Sequence, residues 1–187
     1  MKVVQTRLDG VFIIEVDVFA DDRGFFMESY NKVKFQESGI SHDFIQDNHS
    51  LSVQSGTLRG LHYQLSPKAQ TKLVRAISGA IYDVVVDIRE DSHTFGQWIG
   101  VILSEDNKKQ ILVPKGFAHG FCTIVANTQV IYKVDEYYSP QHDRGILWND
   151  QDLGIPWPCS NPMLSDKDKA HPRLKDAEIN YVNKGVL

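Results

Sequence analysis

Residues 57–72 read TLRGLHYQLSPKAQTK, and the β pattern of this stretch sets how the rest of the chain is read. In a regular strand over Leu58–Gln64, His62 shares a face with Gly60 and Gln64, whereas Arg59 has the opposite parity. For Arg59 and His62 to serve one site the backbone must bend between them, and Gly60 is where a bulge is tolerated. Lys72 opens the next strand after the SPKAQ connection, and the expectation is that the two strands pair and bring Lys72 beside His62. Taken singly, a strand histidine is more often structural and a strand-end lysine more often solvated, as Lys68 illustrates. The grouping of Arg59, His62 and Lys72 is what suggests a site.

Working outward, strands are expected over 58–64, 72–77, 80–88, 97–103, 110–113, 119–124 and 128–137, with Ser78-Gly79, 105–107 and Ala126-Asn127 as turn signals. Short strands at this spacing, with almost no helical periodicity between them, argue for an antiparallel sandwich or barrel. Upstream, residues 11–18 are strand-like, DDRG (21–24) is a turn leading into the β segment FFMESY, and Asn31 caps a short helix ending at Gly39. Residues 44–51 are extended. After Trp148 the run GIPWPCSNP is too rich in proline for a central strand, and Ser165 caps a second short helix, SDKDKA, ended by Pro172. The last dozen residues, within a C-terminal tail of about 173–187, are expected on the surface. The length of 187 residues suits one domain over 1–187.

A formal charge of −4, with Lys and Arg dispersed, gives no electrostatic footprint for nucleic acid, so an anionic ligand must be held by a few local cations. No run approaches the ~20 apolar residues of a membrane span, and a cytoplasmic protein without membrane attachment is expected. Cys122 and Cys159 are too few for a disulfide framework and are expected to be reduced thiols.

Three further stretches carry chemistry. VPKGFAHGF (113–121) presents His119 after a proline-glycine turn and resembles the second motif of the cupin superfamily, where such a histidine is often a metal ligand. The matching first stretch, RGLHYQ, has one histidine and then Gln64. His62 and His119 without a carboxylate at hand are a poor set for zinc or iron, so a cupin-like barrel with no metal and no cofactor is expected. In QVIYKVDEYYSP, Tyr132 and Tyr138 share parity and lie roughly 20 Å apart in a regular strand, suiting a long ligand or plain packing. The charge run LSDKDKAHP (164–172) is ordinarily a solvated face, and Asp168 is the exception for the reason that follows.

Together DDRGFF, QDNHS, LRGLHYQ, QTKLVRAISGAIYDVVVDIR, PKGFAHGF, YKVDEYYSP, HDRGILWND, LGIPWP and SDKD closely resemble the dTDP-4-dehydrorhamnose 3,5-epimerase family, in order from Asp21 to Asp168. The resemblance implies an all-β, cupin-type jelly roll with a few short peripheral helices, usually a homodimer. It also implies inversion of C3 and C5 of dTDP-4-dehydro-6-deoxy-D-glucose in dTDP-L-rhamnose biosynthesis. On this likeness His62 matches the general base, Tyr132 the general acid, Asp168 the carboxylate paired with the histidine, and Lys72 the cation near the 4-keto oxygen. Arg23, Glu28, Gln46, Asp47, Asn48, Arg59, His119, Asp143 and Lys167 match nucleotide-sugar positions, with Arg23 reaching the neighbouring subunit's site, and Tyr138 matches a tyrosine that stacks on thymine. Relatives often carry glutamate where this chain has the shorter Asp143. Members that epimerise C5 alone or feed other deoxysugar pathways share these motifs; a metal-dependent cupin oxygenase or isomerase and a non-catalytic sugar-binding sandwich are the readings of different classes.

Overall fold

The computed structural model describes residues 1–181. The elements run β1 (Lys2–Gln5), β2 (Phe12–Glu15), β3 (Val18–Asp21), β4 (Gly24–Met27), α1 (Lys32–Glu37), β5 (Gln46–Ser52), β6 (Leu58–Gln64), β7 (Lys72–Ser78), β8 (Ala80–Asp87), β9 (Trp98–Ser104), β10 (Gln110–Val113), β11 (Phe117–Thr123), β12 (Thr128–Val134), β13 (Asp143–Gly145) and α2 (Asp166–Lys169), with a 3-10 turn at Leu174–Asp176. They build an antiparallel jelly roll. A six-stranded sheet, β1-β2-β10-β7-β12-β5, faces a five-stranded sheet, β13-β6-β11-β8-β9, while β3 and β4 form a separate hairpin.

Strand alternation sends Val74, Ile111, Val113 and Val130 of the larger sheet against Ile81, Val85, Leu103, Phe117 and Phe121 of the smaller, and these form the central core. Both outer faces are also covered. Helix α1, whose Asn31 cap accepts hydrogen bonds from the Val33 and Lys34 amides, sets Phe35 against Ile14, Leu73 and Leu112 of the larger sheet; such a cap stabilises a helix by about 1 kcal/mol. The chain after β13 covers Leu61, Tyr63, Val84 and Val86 of the smaller sheet with Ile146, Leu153 and Tyr181. Strand β8 is thereby buried on both sides, which accounts for its nearly unbroken apolar run.

Two expectations are corrected. Strands β6 and β7 do not pair: β6 lies between β13 and β11, and β7 between β10 and β12. The connection 65–71 crosses from one sheet to the other, so Lys72 approaches His62 from the opposite wall. Parity within a strand specifies a face but not which sheet holds it. Nor is the stretch from 173 a loose tail. Tyr63 Oη donates to the Glu178 carbonyl at 2.8 Å, the Ser66 amide to Asn180 Oδ1 at 2.9 Å, and Tyr181 to the Gln64 carbonyl. Leu174, Ala177, Ile179 and Tyr181 bury against the sheet; residues 182–187 of the expected tail lie outside the described residues. Cys122 and Cys159 are both free thiols, their sulfurs 3.2 Å apart. Among the described residues no helix is long and apolar enough to cross a membrane.

Candidate active site

The register between β6 and β11 contains the bend that the sequence requires. His119 opposes His62, but Phe121 opposes Arg59, so the four residues 59–62 of β6 span the three residues 119–121 of β11. Gly60 sits in this bulge with φ +113°. A Cβ there would lie 2.6 Å from Gly120 Cα and 2.7 Å from the His119 carbonyl oxygen, so only glycine fits the close approach. Arg59 and His62 consequently face one cavity, of about 480 Å³, between the two sheets. Its walls come from β6 (Leu58, Arg59, His62), β11 (His119, Phe121), β7 (Lys72), β12 (Tyr132), β5 (Ser50) and the segment Met163, Leu164, Ser165, Lys167 and Asp168.

Asp168 is positioned by its helix cap. Ser165 Oγ accepts from the Asp168 amide at 3.1 Å and donates to Asp168 Oδ2 at 2.8 Å, leaving Oδ1 to meet His62 Nε2 at 2.5 Å. Burial would push this carboxyl up, but the side chains of His171, His62 and Ser165 hold it well below the usual carboxylate range. His62 is shifted down by burial, opposed by the Asp168 hydrogen bond and charge and aided by the nearby charges of Lys72 and Lys167. The result is a neutral imidazole at pH 7 whose Nε2 proton is held by Asp168. Nδ1 has no hydrogen bond among the described residues and is free to accept a proton.

The facing groups suit the complementary roles. Burial drives the Lys72 ammonium down to about 8, against the pull of Asp143 and Asp83; among the described residues its nitrogen has neither hydrogen bond nor ion pair, so its charge is directed at the cavity. Tyr132 is raised, chiefly by burial, and keeps its proton until a basic centre approaches. His119 Nε2 donates to Asp83 Oδ2 at 2.8 Å. Arg59 rests on Ser52 Oγ at 3.4 Å and the Leu51 carbonyl at 3.3 Å.

At the rim, Asp143 Oδ2 accepts from Tyr138 Oη at 2.9 Å and from Lys167 Nζ. Tyr138 lies beyond the end of β12 at Val134, is 58% exposed, and does not continue the Tyr132 row as parity alone suggests. Gln46 and Asn48, bonded to each other at 2.8 Å, stand opposite Val134 and Tyr132 in register and extend the Ser50 side of the wall. Asp47 has the other parity and pairs with Lys133 on the outer face. Glu28 is engaged with Lys34 and Asn31. Arg23, its side chain 89% exposed, touches Asp21 at the hairpin tip. The structure thus gathers His62, Lys72, Tyr132, Asp168, Arg59, His119 and Lys167 in one cavity, places Gln46, Asn48, Tyr138 and Asp143 about its edge, and leaves Asp47, Glu28 and Arg23 elsewhere on the chain.

The expected lack of a carboxylate near the two histidines is corrected: Asp168 and Asp83 each meet one. Three potential ligand atoms, from His62, Asp168 and His171, lie within 4.8 Å of one another. Yet the His62–Asp168 contact at 2.5 Å is shorter than the ~3.3 Å that separates two ligands each about 2.0 Å from a tetrahedral ion. In this arrangement His62 and Asp168 are hydrogen-bonded directly to each other. Asp83 and His171 were not singled out from the sequence. A charge inside the apolar run AIYDVVVD is a signal for the first; nothing local marks the second.

The family model described as dTDP-4-dehydrorhamnose 3,5-epimerase matches residues 5–176. The chain belongs to the dTDP-4-dehydrorhamnose 3,5-epimerase family. It is 51% identical over 179 residues to the enzyme of that name from Shigella flexneri, covering 95% of this chain and 98% of the relative. The crystal structure of the Bacillus anthracis epimerase with TDP and PPi bound aligns with TM-score 0.91 and 59% identity over 92% of this chain and 98% of that one. The Legionella pneumophila epimerase in complex with dTDP-4-keto-L-rhamnose aligns with TM-score 0.89 and 46% identity, covering 93% of each chain.

Proposed function

We propose that this epimerase-family chain inverts C3 and C5 of dTDP-4-dehydro-6-deoxy-D-glucose, and that His62 Nδ1 is the base. Hydrogens on the carbons flanking a ketone are removable because the resulting charge spreads onto the carbonyl oxygen. The partly buried Lys72 ammonium, unpaired among the described residues, is placed to hold that enolate, and a dry wall strengthens the attraction. The proton leaving carbon goes to His62, whose imidazolium Asp168 stabilises; inversion then requires a proton from the other face, which Tyr132 supplies. Arg59, His119 and Lys167 take the diphosphate, and Tyr138 at the rim takes the thymine face. No redox group or metal is needed to balance the reaction.

The observation that carries this reading is the opposition of a histidine-carboxylate dyad, His62 on the smaller sheet with Asp168 of α2, to a lysine and a tyrosine on the larger sheet, around a single cavity. We also place the enzyme in the cytoplasm as a homodimer, in which the β3–β4 hairpin of one copy brings Arg23 and Glu28 to the other copy's cavity. The hairpin exposes Phe19, Phe25 and Phe26 at 64%, 57% and 69%, which favours cover by a second chain. Incubating substrate with enzyme in heavy water tests the activity: deuterium is expected at both C3 and C5. Label at C5 alone would reduce the reading to a single-centre epimerase, and label at neither would overturn it. Tyr132→Phe is expected to allow exchange without inversion at one centre or both.

A further inference from the structure

His171 follows α2 and takes no part in the reaction as derived above. Its side chain is 10% exposed, and its Nε2 is buried with no hydrogen-bond partner among the described residues. That nitrogen lies 3.7 Å from Asp168 Oδ1, the same oxygen that meets His62 at 2.5 Å. The two imidazoles stand edge to face, with centroids 5.5 Å apart at 77°. The carboxylate oxygen is therefore flanked by two rings, one in the cavity wall and one behind it.

The slot for the second ring is built by the edge strand. Gly145 on β13 stands opposite His62 in register, and a Cβ added there would run into the His171 imidazole. Gly145 is not among the glycines with positive φ, so the backbone does not call for glycine; the ring does. The hydrogen bond from the Leu147 amide to the Pro172 carbonyl, at 2.7 Å, ties the residue after His171 to the end of the same strand. Backbone and packing together hold the His171 imidazole against the dyad.

We propose that His171 is a positioning residue: seated in the Gly145 slot, it braces Asp168 Oδ1 from behind and so fixes the orientation and proton affinity of His62. At 3.7 Å, beyond a hydrogen bond, the His171 nitrogen acts on Asp168 Oδ1 by polar attraction, and an acceptor oxygen so drawn toward a second ring binds the first less strongly than it would alone. Removing His171 frees Oδ1 for His62, which raises the proton affinity of that imidazole, and at the same time loosens the carboxylate that orients it. Besides His171, the charged and titratable groups facing His62 are Asp168, Lys72 and Lys167, with His119 opposite in register; the substitutions below leave all of them in place.

The inference rests on the assignment of His62 as base, and one of its readouts needs no turnover. In His171→Phe, NMR titration of the His62 ring in the free enzyme is expected to move to higher pH, and the acid limb of kcat/KM to follow it. The value of kcat should fall about tenfold, the scale seen when a supporting partner is lost, with KM within about twofold. His171→Gln, which restores a donor, is expected to recover most of the rate. Gly145→Ala, which displaces the ring while keeping the imidazole, is expected to reproduce the shift and serves if the phenylalanine variant does not fold. A His62 titration unmoved in both His171→Phe and Gly145→Ala, or a rate lost with the acid limb in place, would overturn the proposal. Failure of wild-type enzyme to exchange C3 or C5 would instead overturn the activity and leave the titration result standing.

Discussion

His62 and His119 oppose each other in the register of neighbouring strands, and each commits Nε2 to a different buried carboxylate, Asp168 and Asp83. The pairs are alike in chemistry but not in setting. Asp168 arrives from a capped turn after the Pro-rich segment, whereas Asp83 projects from the middle of β8. This difference predicts different kinetic signatures. Asp168→Asn removes the charge that stabilises the imidazolium and lets an amide N–H face the ring, favouring the wrong tautomer, and should lower kcat by about 10²–10⁴-fold, with the fold intact. Asp83→Asn should act mainly on KM, because His119 is assigned to the diphosphate. Steady-state kinetics with circular dichroism of both variants checks this, and equal loss of kcat in the two would remove the distinction.

Lys72 sets an alkaline limit. With the ammonium lowered to about 8 by burial, its charge is present below that pH and lost above it, so kcat is expected to fall as pH rises through about 8. The sign for stability is the reverse. Between about 8 and its unfolded value near 10.4, the unfolded chain binds a proton that the folded one has released, and this residue's contribution to stability grows with pH. Lys72→Met should cost about 10²–10³-fold in kcat and flatten both profiles. Urea titrations at several pH values alongside rate measurements would show it; a wild-type kcat level up to pH 10 would refute the assignment.

Gly60 joins the two ends of the substrate. Substituting alanine must place a Cβ 2.6 Å from Gly120 Cα with φ at +113°, combining backbone strain with overpacking, for a loss of about 2–4 kcal/mol. The bulge would relax and turn Arg59 away from the cavity that His62 faces. Gly60→Ala is therefore expected to lower the thermal midpoint and raise KM together. Unchanged stability would mean that the strand accommodates the methyl by a shift which the close contact to β11 does not predict.

What could be read beforehand follows from the range of each signal. Alternation and turn residues act over a few positions, so strands 58–64 and 110–113, the Asn31 and Ser165 caps and the bend at Gly60 were all legible. The partner of β7 was not, because a seven-residue connection can close a hairpin or cross between sheets with the same composition. The burial of Tyr181 was hidden for the same reason: its partners, Tyr63 and Gln64, lie more than a hundred positions earlier. Within the site, the residues that face the cavity from regular strands showed in the pattern or the resemblance. His171 did not, since its slot is a missing side chain on β13, and a glycine without positive φ carries no local mark.

Arg23 supplies the last prediction. Its guanidinium is exposed on a hairpin flanked by three exposed phenylalanines, and it lines no part of the cavity holding His62 within its own chain. If it serves the neighbouring copy's diphosphate, Arg23→Ala and His62→Ala homodimers should each have little activity. Refolding the two variants together should recover about a quarter of the wild-type rate, because half the dimers are mixed and each mixed dimer has one site with both groups intact. An arginine acting within its own chain gives no such recovery, since every site in a mixed dimer then lacks one group or the other. Sedimentation of the mixture shows whether dimers have formed, so that absent recovery in a dimeric sample rules out the exchange of the hairpin, whereas a monomeric wild-type enzyme rules out the homodimer itself.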